Sequence, residues 1–449
     1  MASVNKPLTA GRSGPLHGSV KIPCGALDGH LALALAAVSV GRSIISGIDE
    51  RADIRATVAA LRVLGCRIES GEDGSWYVDG VGLGGLAEPD RVLDAGQAGL
   101  GIPLLIALCA MQPMTTVFGG ADSLSGRSWH WLTAALERSG AGFLGRTGSR
   151  LPLTIHGSTN CLPTEFEATS GVARAALLLA ALNCPGETVV RHRFPDEDGA
   201  DTIFAAFGAR LVLDQAPREG AQTRIEGQTE LWPAKLTLVG DTVTAVLIAA
   251  AAISRPGSEV VLERVMIDDR LAQAIVWFEA IGADVRDVGA DATDDRIMAD
   301  LHVRGGALSG AIVRPDETTV TIDDYPLLAV LAARAAGRSV LAGWERRPDW
   351  LAPLAQGLRN CGVDARVEAM SLIVHGNGGG PVAGGCRIEA PLDHRVAVAF
   401  LVLGLSADAP IILDPGTAVL DHYPSVVTLL TRLGGSPTVT DPQDATDHD

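Results

Sequence analysis

Residues 61–68 read "LRVLGCRI": the end of an amphipathic segment, a glycine at Gly65, then a short apolar strand. The same order returns in "LERSGAGFL" at 136–144, "AAFGARLVL" at 205–213 and "FEAIGADVRDV" at 278–288. It returns twice more in "LRNCGVDARV" at 358–367 and "LTRLGGSPTV" at 430–439. Gly65, Gly140, Gly208, Gly282, Gly362 and Gly434 thus recur about every 70–80 residues, a period that suits a βαββαβ unit. Each glycine is expected just past a helix end, where a left-handed backbone carries no penalty for glycine.

Between these copies lie six segments that are apolar all round. They are "DGHLALALAAV", "GQAGLGIPLLIALCA", "SGVARAALLLAAL", "DTVTAVLIAAAAI", "DDYPLLAVLAARAA" and "DHRVAVAFLVLGL". A helix without a polar face is buried. Six units, each with one buried and one half-exposed helix, predict an α/β (α+β) fold. Three βαββαβ units per domain would surround a buried helical core, with the strands covering that core as sheets. The buried helices open on Asp28, Gln97, Ser170, Asp241, Asp323 and Asp393. Singly, each reads as an N-cap. Aimed together at one cleft, they would create a positive backbone potential suited to an anion.

Composition narrows the function. The chain has 449 residues, 47% of them hydrophobic, and a formal net charge of −17. Such a balance gives no general attraction for nucleic acid or anionic lipid. Lys6, Lys21 and Lys235 are the only lysines, so arginine supplies most positive charge. Cys24, Cys66, Cys109, Cys161, Cys184, Cys361 and Cys386 show no framework spacing, which suits a reducing, cytoplasmic compartment. The N-terminus lacks a signal-peptide core, no run is long enough to span a bilayer, and residues 441–449 read as a disordered acidic tail. "GVGLGG" at 80–85 opens no helix and His192 has no paired ligand spacing, so neither a dinucleotide nor a metal is expected.

The segments "LDAGQAGLG", "SLSGRS", "ALNCPGETVV", "IDDYPLLAVLAA" and "DHRVAVAFLVLGL", in that order, resemble the enolpyruvyl transferase family, most of all its 5-enolpyruvylshikimate-3-phosphate synthase branch. The resemblance spans about residues 15–435 and implies two inverse αβ domains joined by two crossovers, near 20–23 and 236–241. The domains would be 1–21 with 238–440, and 22–237. It implies that Arg127 contacts the donor's phosphate, that Arg395 with His394 holds its carboxylate, and that Asp323 is a base at the acceptor hydroxyl. Ser170 would meet the acceptor's phosphate, with Arg346 and Arg174 replacing other cations and Gln97 standing for an asparagine. Ligand binding would close the domains and expel water.

Other positions depart from the family pattern. The resemblance puts a lysine at Ala26, a serine at Leu27, arginines at Leu31, Pro103 and Trp350, a glutamine at Val172, a glutamate at Arg347 and a lysine at Asp421. Phosphoenolpyruvate carries two anionic groups, and each lost charge-assisted hydrogen bond costs roughly 1.5–3 kcal/mol. These losses predict an enolpyruvyl transferase with a different small cyclic acceptor, in specialised metabolism. Two alternatives stand beside it: a lyase or isomerase using Asp323, Asp28, His30 and His394 as acid–base groups, and a non-catalytic ligand-binding relative. Trp350 joins the expected binding residues, favouring a less charged ligand. The expected partners are small molecules, possibly phosphoenolpyruvate plus an acceptor, with no cofactor, nucleic acid or membrane, and a monomer or weak homo-oligomer.

Overall fold

The computed structural model describes residues 7–96, 98–158, 160–192, 199–216, 220–293, 296–314, 324–346, 348–389, 393–420 and 422–439. The chain divides into two compact units, Cys24–Leu238 and Asn5–Pro23 with Val239–Asp449. Three inner helices organise the first unit: Ala26–Ala37, Gly101–Ala110 and Gly171–Ala181. Thr242–Ile253, Tyr325–Arg334 and His394–Gly404 organise the second.

Their composition explains their burial. Every residue from Gly29 to Ala37 is buried, as is every residue of Gly101–Ala110. Alanine and glycine let three helices lie side by side, and leucine, isoleucine and valine fill the remaining space. Each helix trio anchors one continuous apolar core.

Three four-stranded sheets cover each trio. One repeat runs Leu93–Asp94, inner helix, Thr115–Gly119, outer helix His130–Glu137, then the hairpin Gly142–Arg146 and Arg150–His156. Leu93 pairs with Phe118 in parallel, and Phe118 pairs with Leu153 antiparallel. The order along the chain is therefore βαβαββ, which corrects the βαββαβ expectation. Parallel neighbours need a helical crossover, whereas the antiparallel pair needs only a turn, so the hairpin strands follow each other directly.

The linkers exchange partners between units. Strand His17–Lys21 pairs in parallel with Glu259–Met266 of the second unit, yet the next helix along the chain, Ala26–Ala37, belongs to the first. Strand Lys235–Thr237 pairs with Val40–Ser46 of the first unit, and the next helix, Thr242–Ile253, belongs to the second.

The six repeat glycines all have positive φ, from 81° at Gly208 to 103° at Gly140. After each, the next N–H reaches back five residues to a helix carbonyl, as in Cys66 to Leu61 at 3.1 Å and Val363 to Leu358 at 3.0 Å. This is the Schellman closure that the repeated sequence signals. Among the described residues, no helix is long and apolar enough to cross a membrane.

Candidate functional site

In the first unit, helix Ala26–Ala37 opens on Gly25, which offers no side-chain cap. Asp28, in the first turn, folds back over it: Oδ2 lies 2.7 Å from where a Cβ on Gly25 would stand. A carboxylate there satisfies the positive helix end. The chain thus places an anionic side chain, the expected acid–base group Asp28, at this helix start.

His30 has a different place from the catalytic one expected of it. Its side chain is fully buried. Nδ1 lies 2.8 Å from Thr57 Oγ1, and Nε2 lies 3.3 Å from Asp53 Oδ2. Arg51 holds Asp53 from the other side, at 3.2 and 3.3 Å. Burial pushes the Asp53 carboxyl up, but the His30 hydrogen bond and the Arg51 charge outweigh it and hold the group well below the usual carboxylate range. A Cβ on Gly101 would come 3.0 Å from His30 Nδ1, so the imidazole fits only because that helix starts with glycine. Both ring nitrogens are thus engaged within the protein, and the ring has no exposed surface.

Arg127 follows the short helix Asp122–Ser125. Its guanidinium lies over the Trp129 ring at 5.3 Å. Nη1 stands 2.9 Å from where a Cβ on Gly99 would be, so this arginine sits against the start of the second inner helix. Ser170 caps helix Gly171–Ala181, with its hydroxyl oxygen accepting the Ala173 N–H at 3.3 Å. A capping hydroxyl still carries a proton to donate. Arg174 is only 4% exposed, is ion-paired with Asp201 and donates to Thr223 Oγ1 at 2.9 Å, while His192 Nε2 lies 3.0 Å from the same hydroxyl. The guanidinium expected to bind substrate is built into this buried network.

The second unit gathers its site at helix starts. Asp241 accepts the Val243 and Thr244 N–H groups. Asp268 accepts from Leu271 N–H and from the Thr242 hydroxyl. Asp393 accepts the Arg395 N–H at 2.9 Å. Arg270 and Asp324 form a mostly buried ion pair at 2.7 Å. His394 Nδ1 lies 3.6 Å from Asp393. Its ring stacks on His422 with centroids 3.8 Å apart and planes at 11°, and Tyr423 tilts toward it at 5.8 Å. Burial raises the Tyr423 hydroxyl, against the pull of Arg395 and Arg270 and with a further push from Asp241 and Asp324. These groups therefore share one neighbourhood.

Arg395 lies over the Trp350 ring at 5.9 Å. Trp350 is 2% exposed and part of the core. The ring expected to bind ligand is thus buried beneath the Arg395 guanidinium. Arg346 ends a 3₁₀ turn, Trp344–Arg346, and its side chain lies outside the described residues. Gln97, Asp323, Arg347, Asp421 and the tail 441–449 lie outside them as well.

Sequence reasoning missed Arg270, Asp324, His422 and Tyr423. Arg270 had a signal: "DDR" at 268–270 repeats the Asp-x-Arg of "DHR" at 393–395. Both place a capping aspartate two residues before an arginine at a helix start.

A family model described as "EPSP synthase (3-phosphoshikimate 1-carboxyvinyltransferase)" matches residues 11–430. The chain belongs to the EPSP synthase family. It is 39% identical over 441 residues to the 3-phosphoshikimate 1-carboxyvinyltransferase of Rhodospirillum rubrum, covering 96% of this chain and 97% of that one. It is 36% identical to the protein of the same name from Cereibacter sphaeroides, with 96% and 97% covered. The EPSP synthase structure from Acinetobacter baumannii superposes with a TM-score of 0.75 at 26% identity, covering 97% of this chain and 100% of that one.

The protein is a carboxyvinyltransferase. The expected transferase class holds, whereas the different acceptor drawn from the departures at Ala26, Leu31 and Trp350 is corrected. Full-length relatives that carry one activity overturn a different acceptor, a role in specialised metabolism, a lyase or isomerase reaction and a non-catalytic binder. Lost cations at single positions do not decide the acceptor. Retained identity along the whole chain outweighs them.

Proposed function

We propose that this enzyme transfers the carboxyvinyl group of phosphoenolpyruvate to a hydroxyl of 3-phosphoshikimate, with release of inorganic phosphate. The observation that carries the reading is the end-to-end match to relatives of that activity at 34–39% identity. Arg127 meets the donor's phosphate, and its position against Gly99 and Trp129 supports a fixed contact. Arg395, set between the Asp393 cap and the Trp350 ring, takes the donor's carboxylate with His394 beside it. Asp323 accepts the acceptor's hydroxyl proton. Ser170 donates its O–H to the acceptor's phosphate, with Arg346 and Gln97 adding polar contacts. Asp28, His30, Arg174 and Trp350 hold the elements that carry these groups.

Phosphate release, with the organic product identified by mass, tests the reading. Release should require both reactants and fall at least tenfold in Arg127→Ala and in Arg395→Ala, since each removes a charge-assisted contact of roughly 1.5–3 kcal/mol. Folded protein that releases no phosphate when given both reactants would sink it.

A further inference from the structure

Cys361 and Cys386 are free thiols of the second unit, and their sulfurs form a hydrogen bond of 2.9 Å. That separation is well inside the ~3.5–4.0 Å at which even smaller, nonbonded carbon atoms settle. The backbone holds both residues in place. Cys361 follows the outer helix Pro348–Asn360, and its carbonyl accepts the Gly384 N–H at 3.3 Å. A Cβ on Gly362 would stand 3.0 Å from the Ala383 Cβ, so the two chain segments pass in contact. The Cys386 carbonyl accepts the Ile412 N–H at 3.0 Å, which fixes it to strand Ile411–Asp414. Cys361 is buried and Cys386 half-buried.

We propose that Cys361 and Cys386 form a modification site at which a low-molecular-weight disulfide oxidises the pair to an intramolecular disulfide. The Cys386 thiolate attacks one sulfur of the small disulfide and expels a thiolate. Cys361, giving up its proton to solvent, then attacks the Cys386 sulfur of the mixed disulfide and expels the second. Two protein thiols are oxidised and one small disulfide is reduced to two thiols. The order follows from access and charge. The hydrogen bond from Cys361 holds the half-buried Cys386 thiol below its ordinary range, while the same bond and burial push Cys361 up.

The bond would tie together two segments that serve the site. Helix Pro348–Asn360 carries Trp350 near its start, and strand Arg387–Glu389 leads to Asp393 and Arg395. Oxidation thus cross-links the helix of Trp350 to the chain that delivers the arginine above it. The inference rests on the thiol geometry alone and needs no turnover.

The test treats the full-length protein with oxidised glutathione, alkylates the remaining thiols and maps the peptides, alongside a Tm measurement. The expected result is a Cys361–Cys386 linked peptide without glutathione, and a Tm about 5–10 °C higher that returns on reduction. Cys361→Ser should trap glutathione on Cys386 and leave Tm unshifted, and Cys386→Ser should leave Cys361 alkylated. If Cys361→Ser does not fold, the half-buried Cys386→Ser serves as the control. A lasting glutathione adduct on Cys386 in the unaltered protein would overturn the proposal. So would full alkylation of both thiols after oxidation, or cross-linking confined to Cys161 and Cys184.

Discussion

Ala26→Lys puts a cation back where the family resemblance places one. Ala26 is the first residue of its helix and is partly exposed, so a lysine there has room and a path to the ligand. One charge-assisted hydrogen bond is worth roughly 1.5–3 kcal/mol, or about 10- to 150-fold in affinity. Asp28 competes for the new charge, because its carboxylate folds over the adjacent Gly25. A partly exposed ion pair takes up to about 1 kcal/mol of that gain. Ala26→Lys should therefore lower the KM for phosphoenolpyruvate by about 2- to 30-fold, and Ala26→Lys with Asp28→Asn by the full 10- to 150-fold. Phosphate release at saturating 3-phosphoshikimate measures both. The helix itself loses at most about 1 kcal/mol from a cation at its positive end, so Tm should barely move. An unchanged KM in both variants would refute a donor contact at position 26.

Three further outcomes follow from the geometry. The depressed Asp53 carboxyl contributes stability that is present above its unfolded pKa and lost as pH falls toward its folded value; Asp53→Asn should therefore lower Tm at pH 7, with a deficit that narrows below about pH 4 in calorimetry. Gly101→Ala drives a methyl into Thr57 and His30 and should cost about 1–3 kcal/mol in urea unfolding, with loss of the His30–Thr57 signature by NMR. Trp350→Leu removes the ring beneath Arg395 and should lower kcat/KM for phosphoenolpyruvate by about 2- to 30-fold, from a cation–π contribution of about 0.5–2 kcal/mol, while 3-phosphoshikimate affinity holds.

Period and punctuation made much of the fold legible. Gly65 and its five counterparts stand where the backbone turns left-handed, and "VLIAAAAI" can only be a buried helix. The order within a repeat was not legible, because a short apolar run does not reveal its strand partner; Leu93–Asp94 is two residues long and earns its place only by pairing with Phe118 and Gly119. Site residues divided in the same way. Arg127 and Arg395 were candidates by motif. His30 did not announce its burial, since Asp53 and Thr57 lie on the next helix and only packing brings them together. His422 and Tyr423 reach His394 from a segment where the family resemblance marks only position 421, so their ring contacts emerge only from packing.

The two units solve one problem by different means, and the difference explains which parts could be read. Each must set a polar side chain beside the start of a buried helix. The first unit does it with missing side chains: Gly25 leaves space for the Asp28 carboxylate, Gly99 for the Arg127 guanidinium and Gly101 for the His30 ring. A glycine in a sequence does not say which neighbour it admits, so these placements emerge only from packing. The second unit uses a local device. In Asp268–Arg270 and Asp393–Arg395 the aspartate ties itself to the first helical N–H groups, and the arginine two residues later is carried on the opening turn. Spacing alone encodes that arrangement. The same contrast predicts where substitution is tolerated: an added methyl at Gly99 or Gly101 disturbs a distant partner, whereas Asp393→Asn keeps an acceptor for the Arg395 N–H and should preserve the helix start.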